Sequence, residues 1–359
     1  MTTLARSNRV RRTWWTDAVD AAGCTAYTVY NRMMLPACFD GVDIDAAHLK
    51  RAVQVWDVAV ERQVEITGPD ADTLMQRLTP RDLSQLQPNQ CAYVPICNHD
   101  GGMLNDPVAL KPRPDTWWVS LADGELRLWI EGMAEAGGYG VRAFEADVQP
   151  LAVQGPLANE LAGRVFGPAV RDLKFFRHGR FPFNGTEMIV SRTGYSKQGG
   201  FEIYVEREED AMPLWDALFA AGDDLDVRAG CPNLVERIEG GMLSYGNDIT
   251  DLDTPFDVGL DKYVQVYDCI GGPALKSYVS DRRLMAVEIS SPVPTCDRRW
   301  PIMLDGRRIG VVTSAAWSHD FDCGVAIGMV DRRWGAGAEV TVETQDGPRD
   351  ARLREKFWA

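Results

Sequence analysis

Histidine is scarce in this chain, with four residues in 359, at positions 48, 99, 178 and 319. They lie far apart, so a His-based triad or metal cluster would have to be assembled by the fold from distant segments. Cysteine gives no framework either. The eight cysteines, at 24, 38, 91, 97, 231, 269, 296 and 323, contain no CxxC pair. Such sparse spacing is neither a disulfide scaffold nor a zinc site and reads as free thiols in a reducing compartment. No run approaches the ~18–20 apolar residues needed to span a bilayer. Basic residues are outnumbered, 38 Lys+Arg against 52 Asp+Glu, for a net charge of −14. That balance argues against a nucleic-acid partner. GxxxxGK[ST] and HExxH are missing. "GAGAEV" at Gly335 opens like a dinucleotide loop but lacks the third glycine and the following helix. "GYSKQG" around Ser196 is one residue too long for a nucleophile elbow and sits in a hairpin pattern. The arginine-rich N-terminus carries no acid before Asp17 and no apolar h-region of a secretory signal. A cytoplasmic protein without membrane or nucleic-acid partners is expected, and a homodimer is left open.

What is present is ordinary globular material, 45% apolar and 25% charged. A chain this long exceeds the ~250–300 residues of a single core, so two or three domains are expected. "DIDAAHLKRAVQVWDVA" places Ala46, Leu49, Val53 and Trp56 at helical spacing. "RQVEITG" alternates, with Val64 and Ile66 on one face, then stops at Gly68-Pro69. "DADTLMQRLTP" reads as a helix with Asp70 as its cap, and "DGELRLWIEGMAEAGGYG" as a helix ending at its glycines. "QCAYVPICNHDGGMLNDPVALKP" reads as a hairpin turning at "NHDGG". "VQPLAVQGPLANELAGRVFG" then repeats the plan of strand, Gly155-Pro156 and helix, which predicts two related α+β modules in tandem. "TEMIVSRTGYSKQGGFEIYVE" is a second hairpin. Beyond about residue 275 only short strands remain, which predicts a small β-barrel or sandwich. The expected division is 1–275 for the interleaved α+β modules and 276–359 for the barrel.

Three segments carry candidate chemistry. In "GGMLNDPV", Asn105 and Asp106 are expected on a strand after a glycine turn, where Asp106 can serve a cleft or simply end a strand. In "GGFEIYVE", Glu202 sits in an apolar strand and needs a protein donor or a ligand with paired N–H groups. Alternation puts Glu202 and Tyr204 on one face, with Phe201 and Ile203 on the other. In "ERIEGGMLSYGNDI", Arg237 lies on a helix leading to Tyr245 and Asp248, where an internal Arg–carboxylate network is the simplest use of it.

"GGMLND", "SRTGYSKQGGFEIYVE", "ERIEGGMLSYGNDITDLDTPFDVGLDKYV" and "IGVVTSAAWSHDFDCGVAIGMV" resemble the aminomethyltransferase (glycine-cleavage T-protein) family, and the likeness runs from about residue 25 to 345. "TAYTVYNRMMLPA", "HLKRAVQVWDVAVERQVEI", "LKFF", "CPNLVERIE" and the "SKQGG" turn are similar to the demethylating branch of that family. The resemblance implies an α+β, three-domain cloverleaf whose central channel binds tetrahydrofolate as co-substrate, with no metal and no covalent intermediate. It further implies that Glu202 holds the pterin N3–H and 2-amino group, that Asp106 reaches toward the reacting end of the folate as catalytic residue, and that Tyr204 and Arg237 line the channel. The implied reaction moves a methyl group from the sulfonium of dimethylsulfoniopropionate to N5. A donor without N–H groups is best met by aromatic faces, and Tyr195, Tyr30, Tyr93, Trp118 and Trp317 are the candidates. Lys197 or Arg32 could meet the substrate carboxylate. Tyr195 and Ala92 depart from the demethylase pattern, where a Trp and a second aromatic are expected. The rivals are a betaine-type or methoxy donor, the T-protein reaction with its lipoyl carrier, and a folate-binding accessory protein without turnover.

Overall fold

The computed structural model describes residues 5–359. The chain folds into two compact units. The first comprises the chain up to Gln76 together with Leu83–Val94 and Asp106–Asn233, and the second comprises Arg77–Asp82, Pro95–Asn105 and Leu234–Ala359. No described helix is long and apolar enough to cross a membrane.

The first unit holds two sheets, a five-stranded one that is antiparallel throughout and a six-stranded one with a single parallel pairing. One has five strands, in the order Arg142–Glu145, Gln63–Thr67, Thr116–Ser120, Val108–Arg113 and Ala92–Tyr93. The other has six, in the order His178–Phe183, Thr186–Ser191, Gly200–Val205, Gln149–Gln154, Val53–Asp57 and Val227–Gly230. The strand Val53–Asp57 corrects the helical expectation for this stretch. The helix covers only Val42–Leu49, and all five residues of the following strand are buried. A strand flanked by neighbours on both edges and covered on both faces has no polar side, so it loses the period-2 signature that would separate it from a helix.

The repeat seen in the sequence has a backbone cause. Gly68 and Gly155 each end a strand at positive φ (+137° and +127°). A Cβ at Gly68 would fall 2.4 Å from the Gly140 carbonyl oxygen, and one at Gly155 would fall 2.3 Å from that of Ala52. Each glycine lets a neighbouring backbone approach closely before the chain enters the helix, Ala71–Leu78 in one copy and Ala158–Phe166 in the other. Asp70 does not show the expected capping bond; its carboxylate accepts the Gly140 N–H at 2.7 Å. Trp15, Val55, Leu161, Val153, Phe201, Ile203 and Leu214 form the main core beside the six-stranded sheet.

The "NHDGG" hairpin divides. Its outer rungs pair Ala92 with Ala109 and Tyr93 with Val108, while its inner rungs pair Ile96 with Asn105 and Cys97 with Met103. Asn105 is the last strand residue, and Asp106 lies in the break before Val108 rather than on a strand. Pro95 and Pro107 interrupt the ladder because neither has an N–H to give it.

The second unit carries a closed barrel in the order Arg282–Ile289, Cys323–Asp331, Arg307–Ser318, Trp300–Leu304, Glu339–Thr344 and Gly347–Arg354. Val287, Ile289, Trp300, Ile302, Val342 and Leu353 fill it. Closure leaves the sheet without free edges.

Candidate active site

The strand Gly200–Val205 is buried along its whole length. Its alternation sends Phe201 and Ile203 into the main core, and puts Glu202 and Tyr204 on the opposite face. Glu202 is 6% exposed. Its Oε2 accepts a hydrogen bond from Thr193 Oγ1 at 2.5 Å and a longer one from the Tyr204 hydroxyl at 3.4 Å. Among the described residues no donor reaches Oε1. Burial pushes this carboxyl up, and the Thr193 and Tyr204 bonds pull the other way. A carboxylate held this way is costly unless something completes its hydrogen bonding.

The turn that supplies Thr193 is fixed by Gln154, which is fully buried. Gln154 Nε2 donates to the carbonyls of Thr193 (3.3 Å) and Phe201 (3.4 Å), and its Oε1 accepts the Ser196 hydroxyl at 2.8 Å. A Cβ at Gly194, where φ is +153°, would fall 2.0 Å from Gln154 Nε2. The turn leaves Tyr195 half-buried and Lys197 exposed. Ser196 bonds to an amide oxygen here, which gives it no base.

Tyr93 donates its hydroxyl to Asp106 Oδ2 at 2.7 Å. Tyr30 ends the strand Ala26–Tyr30, and the turn that follows places Asn31 and Arg32 in the left-handed region (φ +49° and +59°). Asn31 pins that turn: its N–H reaches Asp123 Oδ1 at 2.7 Å, its Nδ2 reaches the Val60 carbonyl at 2.9 Å, and its Oδ1 accepts the Gly124 N–H at 2.8 Å. Arg32 is 72% exposed and pairs with Glu125 at 2.8 Å. Burial raises the Tyr30 phenol well above its ordinary range, and the charges of Asp106, Glu61, Tyr195 and Asp123 add to it. Glu61, which sequence reasoning missed, ends the short turn Ala59–Glu61. Burial, and then the charge of Glu202, push its carboxyl well above the usual range. Tyr204 is raised in the same way, by burial first and then by Glu202, Cys91 and Glu61.

The first unit therefore brings Tyr30, Tyr93, Asp106, Tyr195, Glu202 and Tyr204 into one electrostatic neighbourhood, together with Glu61. Trp118 is packed beneath it. Trp118 is 1% exposed, its indole N–H donates to Glu65 Oε2 at 2.8 Å, and its ring lies 5.8 Å from that of Tyr204. Arg237 and Trp317 belong to the second unit. Arg237 is buried, with Nη1 on Asp248 Oδ2 at 2.9 Å and Nη2 on Ser314 Oγ at 2.7 Å. Asp248 also accepts from Thr313 (2.5 Å), Ser314 (2.7 Å) and the Ser244 N–H (3.0 Å), so the pair is a closed internal network. Trp317 is half-buried on the barrel strand Arg307–Ser318, opposite Gly324.

This α+β unit and barrel match known families in order along the chain. Residues 15–268 match the GCVT N-terminal domain, and residues 282–358 match the glycine cleavage T-protein C-terminal barrel domain. The chain belongs to the glycine-cleavage T-protein (aminomethyltransferase) family and is an enzyme of it. It is 53% identical over 363 aligned positions to dimethylsulfoniopropionate demethylase DmdA of Ruegeria pomeroyi, with 100% of both chains covered. It is 30% identical over 329 positions to an aminomethyltransferase of Clostridium botulinum, with 87% of both covered. The crystal structure of the glycine cleavage system aminomethyltransferase T from Bartonella henselae superposes with a TM-score of 0.86 at 23% identity, over 98% of each chain, which shows the shared fold.

Proposed function

We propose that this enzyme demethylates dimethylsulfoniopropionate, passing the methyl group to N5 of tetrahydrofolate and releasing methylthiopropionate and 5-methyltetrahydrofolate. The observation that carries this reading is Glu202, a carboxylate 6% exposed whose Oε1 meets no donor among the described residues. A reduced pterin offers a matching pair of donors, N3–H and the 2-amino group, to such a carboxylate. The full-length 53% likeness to a demethylase of this substrate supports the same reading.

The chemistry fits the residues present. The N5 lone pair attacks the methyl carbon while the carbon–sulfur bond breaks and its electron pair returns to sulfur. The leaving group is a neutral thioether, which needs no general acid, so the lack of a histidine in the cluster is consistent with this step. Alkylated N5 then sheds its proton, and Asp106, held by Tyr93, is placed to accept it as general base. The largest contribution is geometric. Holding N5 and the methyl carbon in line at ~3–3.5 Å, away from water, can lower a barrier by up to ~7–11 kcal/mol. The phenol rings of Tyr30, Tyr93 and Tyr195 offer faces to a permanent cation, at about 0.5–2 kcal/mol per contact. Lys197, exposed on the same turn as Tyr195, is the candidate for the substrate carboxylate. The substrates are small and diffusible, as suits a cytoplasmic enzyme.

Incubation of the purified protein with tetrahydrofolate and a panel of donors tests this reading. Dimethylsulfoniopropionate should be turned over, while glycine betaine, aryl methyl ethers and an aminomethylated lipoyl carrier should not. Turnover of betaine instead would move the enzyme to a sister activity.

A further inference from the structure

Apart from the cluster around Glu202, the first unit encloses a second polar place. A cavity of about 100 Å³ has Arg11, Arg12, Arg62, Glu145 and Asp147 in its lining, with Met33 on its apolar side. At ~30 Å³ for a water in the liquid, that is room for about three waters or one small carboxylate. Glu145 stands between two guanidinium groups, with Oε1 2.9 Å from Arg11 Nη2 and Oε2 accepting Arg62 Nη2 at 2.6 Å. Burial would raise this carboxyl, but its bonds to Arg62 and Arg11 hold it below the usual range. Arg12 turns to Asp17, and Asp147 is exposed. Three arginines thus face two acids across the lining. Arg62 is the buried member, 9% exposed. Among the described residues only its Nη2 finds an acceptor, and Nε is buried with none. A buried N–H on a charged group is expensive to leave unmatched. Arg62 also stands in the left-handed region, at φ +36°, directly after the turn Ala59–Glu61. Such backbone at a long side chain persists only where surrounding bonds enforce it, and it gathers at functional sites.

We infer that this cavity is a binding site for a small oxyanion of the carboxylate class, taken by the guanidinium of Arg62 together with that of Arg11. A guanidinium is a planar fork whose paired N–H donors match the two oxygens of a carboxylate. Glu145 occupies only one nitrogen of each arginine. The free edge of Arg62 and the surplus positive charge of the lining favour an anion over water. The site does not depend on the reaction proposed above. Two sources can supply the anion. One is a free anion from solution. The other is the carboxylate of the methyl donor, which would take over the role given to Lys197. The hairpin that carries Tyr30 borders this cavity: Met33 lines it and is the cross-strand partner of Tyr30, and the Arg11 N–H donates to the Arg32 carbonyl at 2.7 Å.

The test adds propionate, with propionamide as its neutral control, to the full-length enzyme at constant ionic strength. Propionate should raise the thermal unfolding midpoint saturably, and propionamide should not. Arg62→Gln should weaken propionate binding about tenfold or more, the scale of a charge-assisted hydrogen bond. Arg11→Gln, at an exposed side chain, should weaken it as well and serves as the second variant should the first misfold. No rise with propionate, an equal rise with propionamide, or an unchanged response in both variants overturns the site and leaves a cavity that holds only water. Steady-state kinetics then identifies the source. Propionate that competes with dimethylsulfoniopropionate puts the donor's carboxylate in the cavity. In that case Arg62→Gln should raise the KM for dimethylsulfoniopropionate about tenfold or more relative to the KM for trimethylsulfonium, which has no carboxylate. Propionate that binds without competing makes the occupant a free anion. If neither sulfonium is demethylated, the reading of the reaction fails, while the propionate melts still decide the site.

Discussion

Tyr93 and Asp106 meet at 2.7 Å, phenol to carboxylate, across the break where the hairpin passes from one unit's strands to the other's. The bond orients an acid that sits on irregular backbone, where no sheet partner fixes it. Asp106→Ala should lower kcat by roughly 10²–10⁴-fold, the range for a lost general base, with a smaller effect on folate affinity. Tyr93→Phe should lower it only about 3- to 10-fold, as for one hydrogen bond. Single-turnover kinetics with a folate titration separates the two. A larger effect on folate affinity than on turnover would make Asp106 a binding residue.

Glu202→Ala should weaken tetrahydrofolate binding by roughly 1.5–3 kcal/mol, about 10- to 150-fold, the scale of charge-assisted hydrogen bonds. Thr193→Val should lose less, because it removes only one of the two bonds that hold Oε2. Fluorescence titration with the folate measures both, and unchanged binding in Glu202→Ala refutes the pterin anchor.

His178 is 8% exposed, and burial lowers its pKa from the ordinary 6.5 to about 4. Above about pH 6.5 the ring is neutral in both the folded and the unfolded chain, so it adds no pH dependence there. Between about 4 and 6.5 only the unfolded chain takes the proton, so this residue costs stability as pH falls, up to about 3 kcal/mol. Urea melts of the wild type and His178→Gln at pH 7.5 and 5 should show the wild type losing more of its stability. Parallel losses would mean that the ring charges in the folded state.

Gly68→Ala and Gly155→Ala should each destabilise the protein by about 1–3 kcal/mol or more. Both impose a side chain at positive φ and push a Cβ against a carbonyl at 2.4 and 2.3 Å. Thermal melts check this, and a neutral outcome at either site would break the equivalence of the two copies.

Where local pattern decides structure, the sequence was readable. The alternation of Phe201, Glu202, Ile203 and Tyr204 put the right pairs on the right faces, because a half-polar strand advertises its period. The Gly-Pro repeat marked two real strand-to-helix junctions because only glycine tolerates both the dihedral and the close approach. Val53–Asp57 read as helix because a strand covered on both faces carries no period. Asp106 read as a strand residue because the glycine turn before it was visible, whereas the interruption by Pro95 and Pro107 depends on which sheet each half joins. Glu61 left no trace, since its setting is made by Asn31 and Leu121, 30 and 60 positions away. Aromatic identity alone could not tell Trp118, packed under Tyr204, from half-buried Tyr195.

The central claim is direct methyl passage from sulfur to N5. With dimethylsulfoniopropionate carrying trideuterated S-methyl groups, mass spectrometry should find one intact CD3 on N5 for every thioether formed. Label appearing in methanol or formaldehyde, or thioether forming without folate, would contradict it.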